Sequence, residues 1–477
     1  MREYLKFYVN GQWVEPLEMS TVETINPATE AVSGKIALGK EADVDRAVKA
    51  AQQAFTSWSQ TSKDERLAVL KRILAEYEKR AADLGEAITE EMGAPKALAQ
   101  GFHVALGNGH LNTAIEVLES FEFEELRGAS LIRREPIGVV GMITPWNWPV
   151  NQIAVKVFPA IAAGCTVVLK PSQEAHFSAQ VLAEVIDAAD VPAGVFNLIQ
   201  GRGSVVGAEL SRHPGVDMVS ITGSEAAGIE VARNAAETVK RVTQELGGKS
   251  ALIVLDDEQF ADNVAKGVGG MMMNSGQTCS ATTRLLVPNA RMDEAIAAAK
   301  AAAEGVTVGD PSGDFAMGPV VSKSQFNSIQ QYIEKGIEEG ATLVAGGPGR
   351  PDGLDKGWYV KPTVFANATN DMVIAREEIF GPVQVIIGYD SLEHAIEIAN
   401  DSDFGLAGGV YGADLETCQN VARAMRTGWV SINDGFDFHC PFGGYKKSGN
   451  GREWGEFGFE EYLEIKGILG FKPEAAQ

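Results

Sequence analysis

Apolar and polar positions along the chain switch repeatedly between a two-residue and a three-to-four-residue period. Near the start, two short runs, 7–9 and 12–14, flank Asn10-Gly11, a pair that predicts a two-residue β-hairpin. Val44, Ala47, Val48, Ala51, Phe55 and Trp58 then fall on one apolar stripe and predict a helix. A second helical stretch is predicted over about 63–91, ending near Gly93-Ala94-Pro95. A third is predicted over about 101–119.

Residues 119–136 read differently: charged and apolar residues alternate about Arg127-Gly128, which predicts an exposed hairpin. A hairpin alone is marginal, so this one is expected to pack on another element or another subunit. From about 137 to 256, apolar strands at 138–143, 166–169, 195–199, 218–221 and 251–255 alternate with helical segments, notably 178–189. That alternation predicts a parallel, doubly wound sheet. A second α/β series follows from about 257 to 440, with strands near 284–287, 342–345, 383–389 and 428–432. In the tail, 462–469 reads as a strand able to pair, although Gly467 weakens it. No repeat or low-complexity linker marks a boundary, so boundaries come from pattern alone.

Composition narrows the class. The chain has 477 residues, 45% hydrophobic and 22% charged, as expected of a globular protein of two or three domains. Lys and Arg total 41 against 64 Asp and Glu, a net charge of −23. This argues against nucleic acid and anionic membranes as partners, so an anionic cofactor must be held by local donors. No run of 18 apolar residues suggests a membrane helix, and residues 1–13 do not resemble a signal peptide. Cys165, Cys279, Cys418 and Cys440 are far apart, which argues against a metal site or a disulfide framework and for reduced thiols in the cytoplasm. His103, His110, His176, His213 and His394 have no ligand spacing.

Five segments could carry chemistry. Cys279 lies in Asn274-Ser275-Gly276-Gln277-Thr278-Cys279-Ser280, a turn of small and polar residues that could expose a thiolate nucleophile. Glu245 ends a β-like run before Gly247-Gly248-Lys249, where a carboxylate could serve as a general base. Asn147, between Pro145-Trp146 and Trp148-Pro149, could donate to a developing oxyanion. Lys170, in Leu169-Lys170-Pro171-Ser172-Gln173-Glu174, could reach ribose hydroxyls or phosphates from a strand end. Thr222-Gly223-Ser224 enters a helix whose N-terminus suits a pyrophosphate. A GxGxxG fingerprint is absent; Gly201-Arg202-Gly203 with Gly207 has one residue too many. Taken singly, each has an ordinary structural explanation: a core cysteine, a solvated carboxylate, a turn asparagine, a loop lysine, a helix cap.

Together with Gly276-Gln277-Thr278-Cys279, Glu377-Glu378-Ile379-Phe380-Gly381-Pro382 and Pro441-Phe442-Gly443-Gly444-Tyr445-Lys446-Lys447-Ser448-Gly449, these segments occur in a fixed order. The chain resembles the NAD(P)-dependent aldehyde dehydrogenase superfamily over nearly its full length. The resemblance implies an α/β fold with two doubly wound parallel-sheet domains plus a β-hairpin oligomerisation element. It places the NAD(P)-binding domain at 1–118 and 137–247 and the catalytic domain at 248–446. The oligomerisation element and C-terminal tail would take 119–136 and 447–477, and the protein would form homodimers or homotetramers.

It also implies roles. Cys279 attacks the aldehyde carbon, and its backbone N–H and Asn147 hold the oxyanion; hydride leaves for nicotinamide, and Glu245 activates water to hydrolyse the thioester, with Lys156 nearby. Glu245 or the bound cofactor could help deprotonate Cys279, because no histidine adjoins it in sequence. Lys170, Ser172, Gln173, Gly203, Gly207, Gly223, Ser224 and Leu246 would hold the cofactor with Trp146, Glu378 and Phe380. Trp148, Gln152, Val155, Thr278, Ser280 and Phe442 would line the substrate tunnel, with Phe436, Phe438, His439 and Cys440 at its entrance; aromatic lining favours a medium-sized apolar or aromatic aldehyde.

One departure concerns the cofactor. Many NAD-preferring members carry Glu three residues after the lysine, but here that position is Gln173 and Glu174 is displaced by one. A neutral side chain does not repel a 2′-phosphate, so use of both NAD and NADP, or a preference for NADP, is expected. Two other readings stay open: a CoA-acylating relative, in which Glu245 would be superfluous, and a non-catalytic protein of the same fold, against which Cys279, Glu245 and Asn147 all stand.

Overall fold

The computed structural model describes residues 1–472; the last five residues of the expected tail lie outside it. Two large sheets organise the chain. The first has eight strands, in the order Gly449–Asn450, Arg241–Glu245, Met218–Thr222, Val139–Ile143, Thr166–Lys170, Phe196–Leu198, Phe7–Val9, Gln12–Val14. Its five inner strands are parallel. The N-terminal hairpin joins one edge antiparallel, turning through Asn10 at φ 54° and Gly11 at φ 70°, as its Asn-Gly pair predicts.

Alternate strand residues serve the two faces of this sheet. Val140, Met142, Val167 and Leu169 pack with Ile73, Leu111 and Val157 on one side. Val139, Ile143, Val168 and Val219 pack with Val44, Val48 and Leu210 on the other. The chain runs outward through Val139–Ile143, Thr166–Lys170 and Phe196–Leu198, then returns to place Met218–Thr222 beside Val139–Ile143. Such a reversal opens a crevice at the C-terminal ends of the two central strands.

The second sheet has seven strands, in the order Thr342–Ala345, Thr363–Ala366, Val383–Tyr389, Arg284–Pro288, Ala251–Val254, Ala407–Tyr411, Trp429–Ile432. All are parallel except Thr342–Ala345 at the edge. Here the sequence reading needs correction. The strand expected at 251–255 belongs to the middle of this sheet, not to the first series, because the chain leaves the first sheet through Leu246, Gly247 and Gly248. Periodicity marks a strand but not the sheet it joins. Thr363–Ala366 and Ala407–Tyr411 were not anticipated; the latter contains Gly408-Gly409, which carries no strand signal.

The helical stretch predicted over 63–91 is two helices, Lys63–Lys79 and Ala81–Met92, broken at Arg80 with φ −104° and ψ 9°. Arg80 pairs with Asp83 on the second helix and with Glu184 on Phe177–Ala188, against which that helix packs. The next helix includes one π turn, Ala99–His103, before Val104–Ser120. The hairpin expected within 119–136 is Glu124–Arg127 with Ser130–Pro136. Its partner is the tail strand Leu463–Leu469, antiparallel to Ser130–Pro136, which leaves Ile465 and Leu469 exposed. No described helix is long and apolar enough to cross a membrane.

Candidate active site

Between the helix Phe260–Met272 and the strand Arg284–Pro288, Asn274, Ser275 and Gly276 all adopt left-handed backbone, at φ 56°, 57° and 68°. Non-glycine residues hold this conformation only when surroundings impose it. The Asn274 side chain donates to the carbonyls of Asn147 at 2.8 Å and Gln277 at 3.3 Å. Ser275 Oγ donates to the Gly318 carbonyl at 2.9 Å, and Gln277 Oε1 accepts from the Val321 N–H at 2.9 Å. A Cβ on Gly276 would lie 2.2 Å from the Gly381 carbonyl oxygen, so only glycine fits. This braced turn presents Cys279, which is half-buried. Burial first, then the charges of Glu378 and Glu245, push its thiol up to about 12. The resting group is therefore a thiol that must lose its proton when it attacks.

Asn147 lies beyond the C-terminal end of Val139–Ile143 and is buried. Its Nδ2 donates to the Gln277 carbonyl at 3.1 Å, which leaves the second amide proton for another acceptor. Glu245 ends Arg241–Glu245, and both of its buried carboxyl oxygens lack a hydrogen-bond partner. Burial, reinforced by the neighbouring Glu453, holds this carboxyl well above the usual carboxylate range. Lys156 is fully buried, pairs with Glu453 and donates to Ser220 Oγ at 3.1 Å. Its acidic partner is thus Glu453, which sequence reasoning missed because Arg452-Glu453-Trp454 follows the last recognisable segment.

A cavity of about 240 Å³ lies on one side of Cys279. Trp146, Asn147, Gly223, Ser224, Leu246, Glu378 and Phe380 line it, together with Thr222 and Gln325. Ser224 caps the helix Glu225–Ala236 by accepting from the Ala227 N–H at 3.3 Å. Thr222 Oγ1 is buried without a partner, and a Cβ on Gly223 would meet nothing closer than 3.8 Å. Trp146 and Phe380 meet edge to face at 5.4 Å. Glu378 accepts from the Gly248 N–H at 2.9 Å, and burial raises its carboxyl to about 7.

Lys170, Ser172, Gln173, Gly203 and Gly207 lie outside that lining. Burial pulls the Lys170 amine down to about 8, and a Cβ on Gly207 would sit 3.9 Å from Lys170 Cδ. Gly203 opens the π turn Gly203–Gly207 with free space around it. Ser172 Oγ accepts from the Glu174 N–H at 3.2 Å, and the Gln173 carbonyl bonds His176 Nδ1 at 2.7 Å. A helix N-terminus, open glycine, an unpartnered hydroxyl and a buried amine, at the ends of the two strands flanking Val139–Ile143, fit a dinucleotide.

The residues flanking Cys279 face a second cavity, of about 610 Å³. Thr278, Ser280 and Phe436 line it, with Phe102, Leu106, Trp429 and Phe438. Trp148 is buried instead; its Nε1 donates to Thr278 Oγ1 at 3.0 Å. Gln152 is buried with Oε1 unpartnered. Val155 lines a separate cavity of about 10 Å³ with His110 and Trp454. Phe442 stacks on Trp454 at 5.0 Å, in a cluster that Cys279 also joins. Cys440 is exposed, and neighbouring His439 bonds Glu116 at 3.1 Å.

Comparison with known proteins agrees with this arrangement. The profile of the Aldehyde dehydrogenase family matches residues 13–468. A 3-succinoylsemialdehyde-pyridine dehydrogenase of Pseudomonas sp is 52% identical over 475 residues, covering 99% of this chain and 100% of that protein. Among solved structures, a mutant of aldehyde dehydrogenase C from Pseudomonas syringae, complexed with NAD+ and octanal, superposes with a TM-score of 0.97 at 49% identity. That match covers 99% of this chain and 98% of the other. An aldehyde dehydrogenase of Mycobacterium tuberculosis complexed with NAD+ gives 0.95 at 42% identity, over 98% of each chain.

Proposed function

The chain belongs to the aldehyde dehydrogenase family, and from that premise we propose that it oxidises an apolar aldehyde to its acid through a thioester on Cys279. The enzyme is an NAD(P)-dependent aldehyde dehydrogenase. Its reading as a Cys279 enzyme rests on one observation above all. Cys279 borders the smaller cavity, while its neighbours Thr278 and Ser280 border the larger one.

The Cys279 thiol gives its proton to the carboxylate of Glu245, which passes it to solvent before the hydrolytic step, and the sulfur attacks the carbonyl carbon of an aldehyde entering from the larger cavity. The oxyanion accepts from the free amide proton of Asn147 and from the Cys279 N–H. The dinucleotide, when bound, supplies a nicotinamide that accepts the hydride. Gly223, Ser224 and the end of Glu225–Ala236 hold its pyrophosphate, Lys170 and Glu378 its riboses, and Trp146 and Phe380 flank the nicotinamide end. Ser172, Gln173, Gly203, Gly207 and Leu246 complete that set.

Glu245, in its ionised form, takes a proton from water as it attacks the thioester; burial raises its pKa and so makes that carboxylate the stronger base. Lys156 acts at one remove, by neutralising Glu453 beside Glu245. With Glu245 available, water rather than CoA receives the acyl group.

Gln173 offers no charge against a 2′-phosphate, which supports use of both NAD and NADP. The acidic net charge and free thiols suit a cytoplasmic enzyme. Residues 1–118 and 137–247 form the cofactor domain and 248–446 the catalytic domain. The sheet built from 119–136 and the tail, with Ile465 and Leu469 exposed, supports assembly as a homodimer or homotetramer. The deciding experiment is an aldehyde panel run with NAD and NADP on the wild type and on Cys279→Ala. Turnover surviving the substitution would overturn the mechanism.

A further inference from the structure

We propose that His103 is a positioning residue for the oxyanion site, acting through Asn274 on Asn147 and Gln277. This rests on the reading of Asn147 as an oxyanion donor. His103 ends the π turn Ala99–His103, which carries its ring to full burial between the helix and the Cys279 turn. Its Nε2 lies 3.2 Å from Asn274 Oδ1.

The hydrogen-bond directions are fixed by their partners. Asn274 Nδ2 faces two carbonyls, of Asn147 and Gln277, and must therefore be the amine end of the amide. Asn274 Oδ1 then faces His103 and requires a donor, so the histidine carries its proton on Nε2. Its Nδ1 is buried without a partner, which suits the unprotonated nitrogen. Burial pulls the ring's pKa down to about 3, so it stays neutral.

Asn274 in turn carries the site. It bonds the backbone of Asn147, and it bonds the Gln277 carbonyl on which the Asn147 amide rests. The His103 ring also stacks on Trp148 at 4.1 Å, and Trp148 Nε1 donates to Thr278, next to Cys279. One imidazole thus braces the Asn147 loop and the Cys279 turn together. Nothing in the periodicity of the sequence marks it apart from the other histidines.

A merely structural histidine and a positioning one differ in kinetics. His103→Phe keeps an aromatic ring against Trp148 but removes the donor; His103→Gln restores a donor. His103→Phe is expected to lower kcat ~10-fold with KM for NAD unchanged within ~2-fold, and His103→Gln to recover most of the loss. Asn147→Ala alone should cost ~10²–10³ in kcat, and His103→Phe added to it should cost less than ~3-fold more, because the link it supports is already gone. Asn274→Ser, at the next link, is run in the same cycle, so the test does not depend on one variant folding. Wild-type kcat in His103→Phe, or no recovery in His103→Gln, overturns the proposal. An impaired Asn147→Ala on which His103→Phe acts multiplicatively overturns the His103 link alone. A fully active Asn147→Ala overturns the oxyanion assignment and this proposal with it.

Discussion

The two cavities that meet around Cys279 are built in different ways. The smaller is built around two short segments, Thr222-Gly223-Ser224 at a strand end and helix N-terminus and Leu246-Gly247 just past the strand Arg241–Glu245, closed by Trp146, Asn147, Glu378 and Phe380. It combines a helix N-terminus and the short polar side chains of Thr222 and Ser224 with the rings of Trp146 and Phe380, which suits a ligand of fixed shape and charge. The larger is assembled from side chains far apart in sequence, among them Phe102, Leu252, Gly270, Trp429, Phe436 and Phe438. Its lining is mostly apolar and aromatic, so it selects by volume rather than by directed bonds. On the proposed assignment, the dinucleotide cleft with its helix N-terminus tolerates little change, whereas the aldehyde cavity, lined by side chains, can be retuned.

Four substitutions test that contrast, beginning with the residue that stands between the two cavities. Cys279→Ala should lower turnover by ~10⁴ or more while leaving cofactor binding intact, read by fluorescence titration with the reduced dinucleotide. Loss of binding together with turnover would mean that the thiol supports the cofactor cleft itself.

Glu245→Gln should slow steady-state turnover by ~10²–10³, yet still release a burst of reduced cofactor, because only thioester hydrolysis needs the base. In the wild type, hydrolysis should quicken as pH rises through the raised range of this carboxyl. Stability should run the other way. The folded state holds the Glu245 proton more tightly than the unfolded chain, so its contribution is full below the ordinary carboxylate range. It is lost as pH rises to the raised value. Glu245→Gln should flatten that part of a Tm against pH curve.

Gln173→Glu places a carboxylate on the cofactor side and should reduce kcat/KM for NADP by ~10–100-fold, with little change for NAD. Wild-type selectivity for NAD of ~100-fold or more would instead show that Gln173 does not set the preference. The smallest effect is expected on the aldehyde side. Gly270 sits within the helix Phe260–Met272, where glycine costs ~1 kcal/mol relative to alanine, and a Cβ there would meet nothing within 4 Å. Neither packing nor a positive φ demands glycine at this position, but the cavity gains its space. Gly270→Leu should cut kcat/KM for aryl or long-chain aldehydes ~10-fold and leave a two-carbon aldehyde unchanged. An equal loss for both would place Gly270 outside the substrate path.

Legibility followed the same divide. Asn147, Gly223, Ser224, Glu245, Cys279, Glu378 and Phe380 could all be read because each sits in a short segment with its own spacing. The aldehyde side was read less completely. Thr278, Ser280 and Phe436 line the larger cavity, but Trp148, Gln152 and Phe442 are packed beneath it and Val155 faces another space. Phe102 and Trp429 were missed because an apolar residue in a helix or strand gives no local sign of whether it meets core or cavity. Glu453 was missed for a related reason: a lone carboxylate near the end of the chain becomes informative only once Lys156 and Glu245 are brought to it.

The sequence by itself determined the alternation of strands and helices, the Asn10-Gly11 hairpin and the family, and it marked out the thiol, amide and carboxylate proposed for the reaction. These depend on local periodicity, turn chemistry and residue type, which act over a few positions. Only the tertiary structure decided that Ala251–Val254 lies at the centre of the second sheet, between Arg284–Pro288 and Ala407–Tyr411, and that the tail strand covers the Ser130–Pro136 hairpin. It alone brought His103 to Asn274, 171 residues away, and Glu453 to Lys156, 297 residues away. Burial and electrostatics at the site arise from such distant approaches, and no local pattern encodes which distant groups will meet.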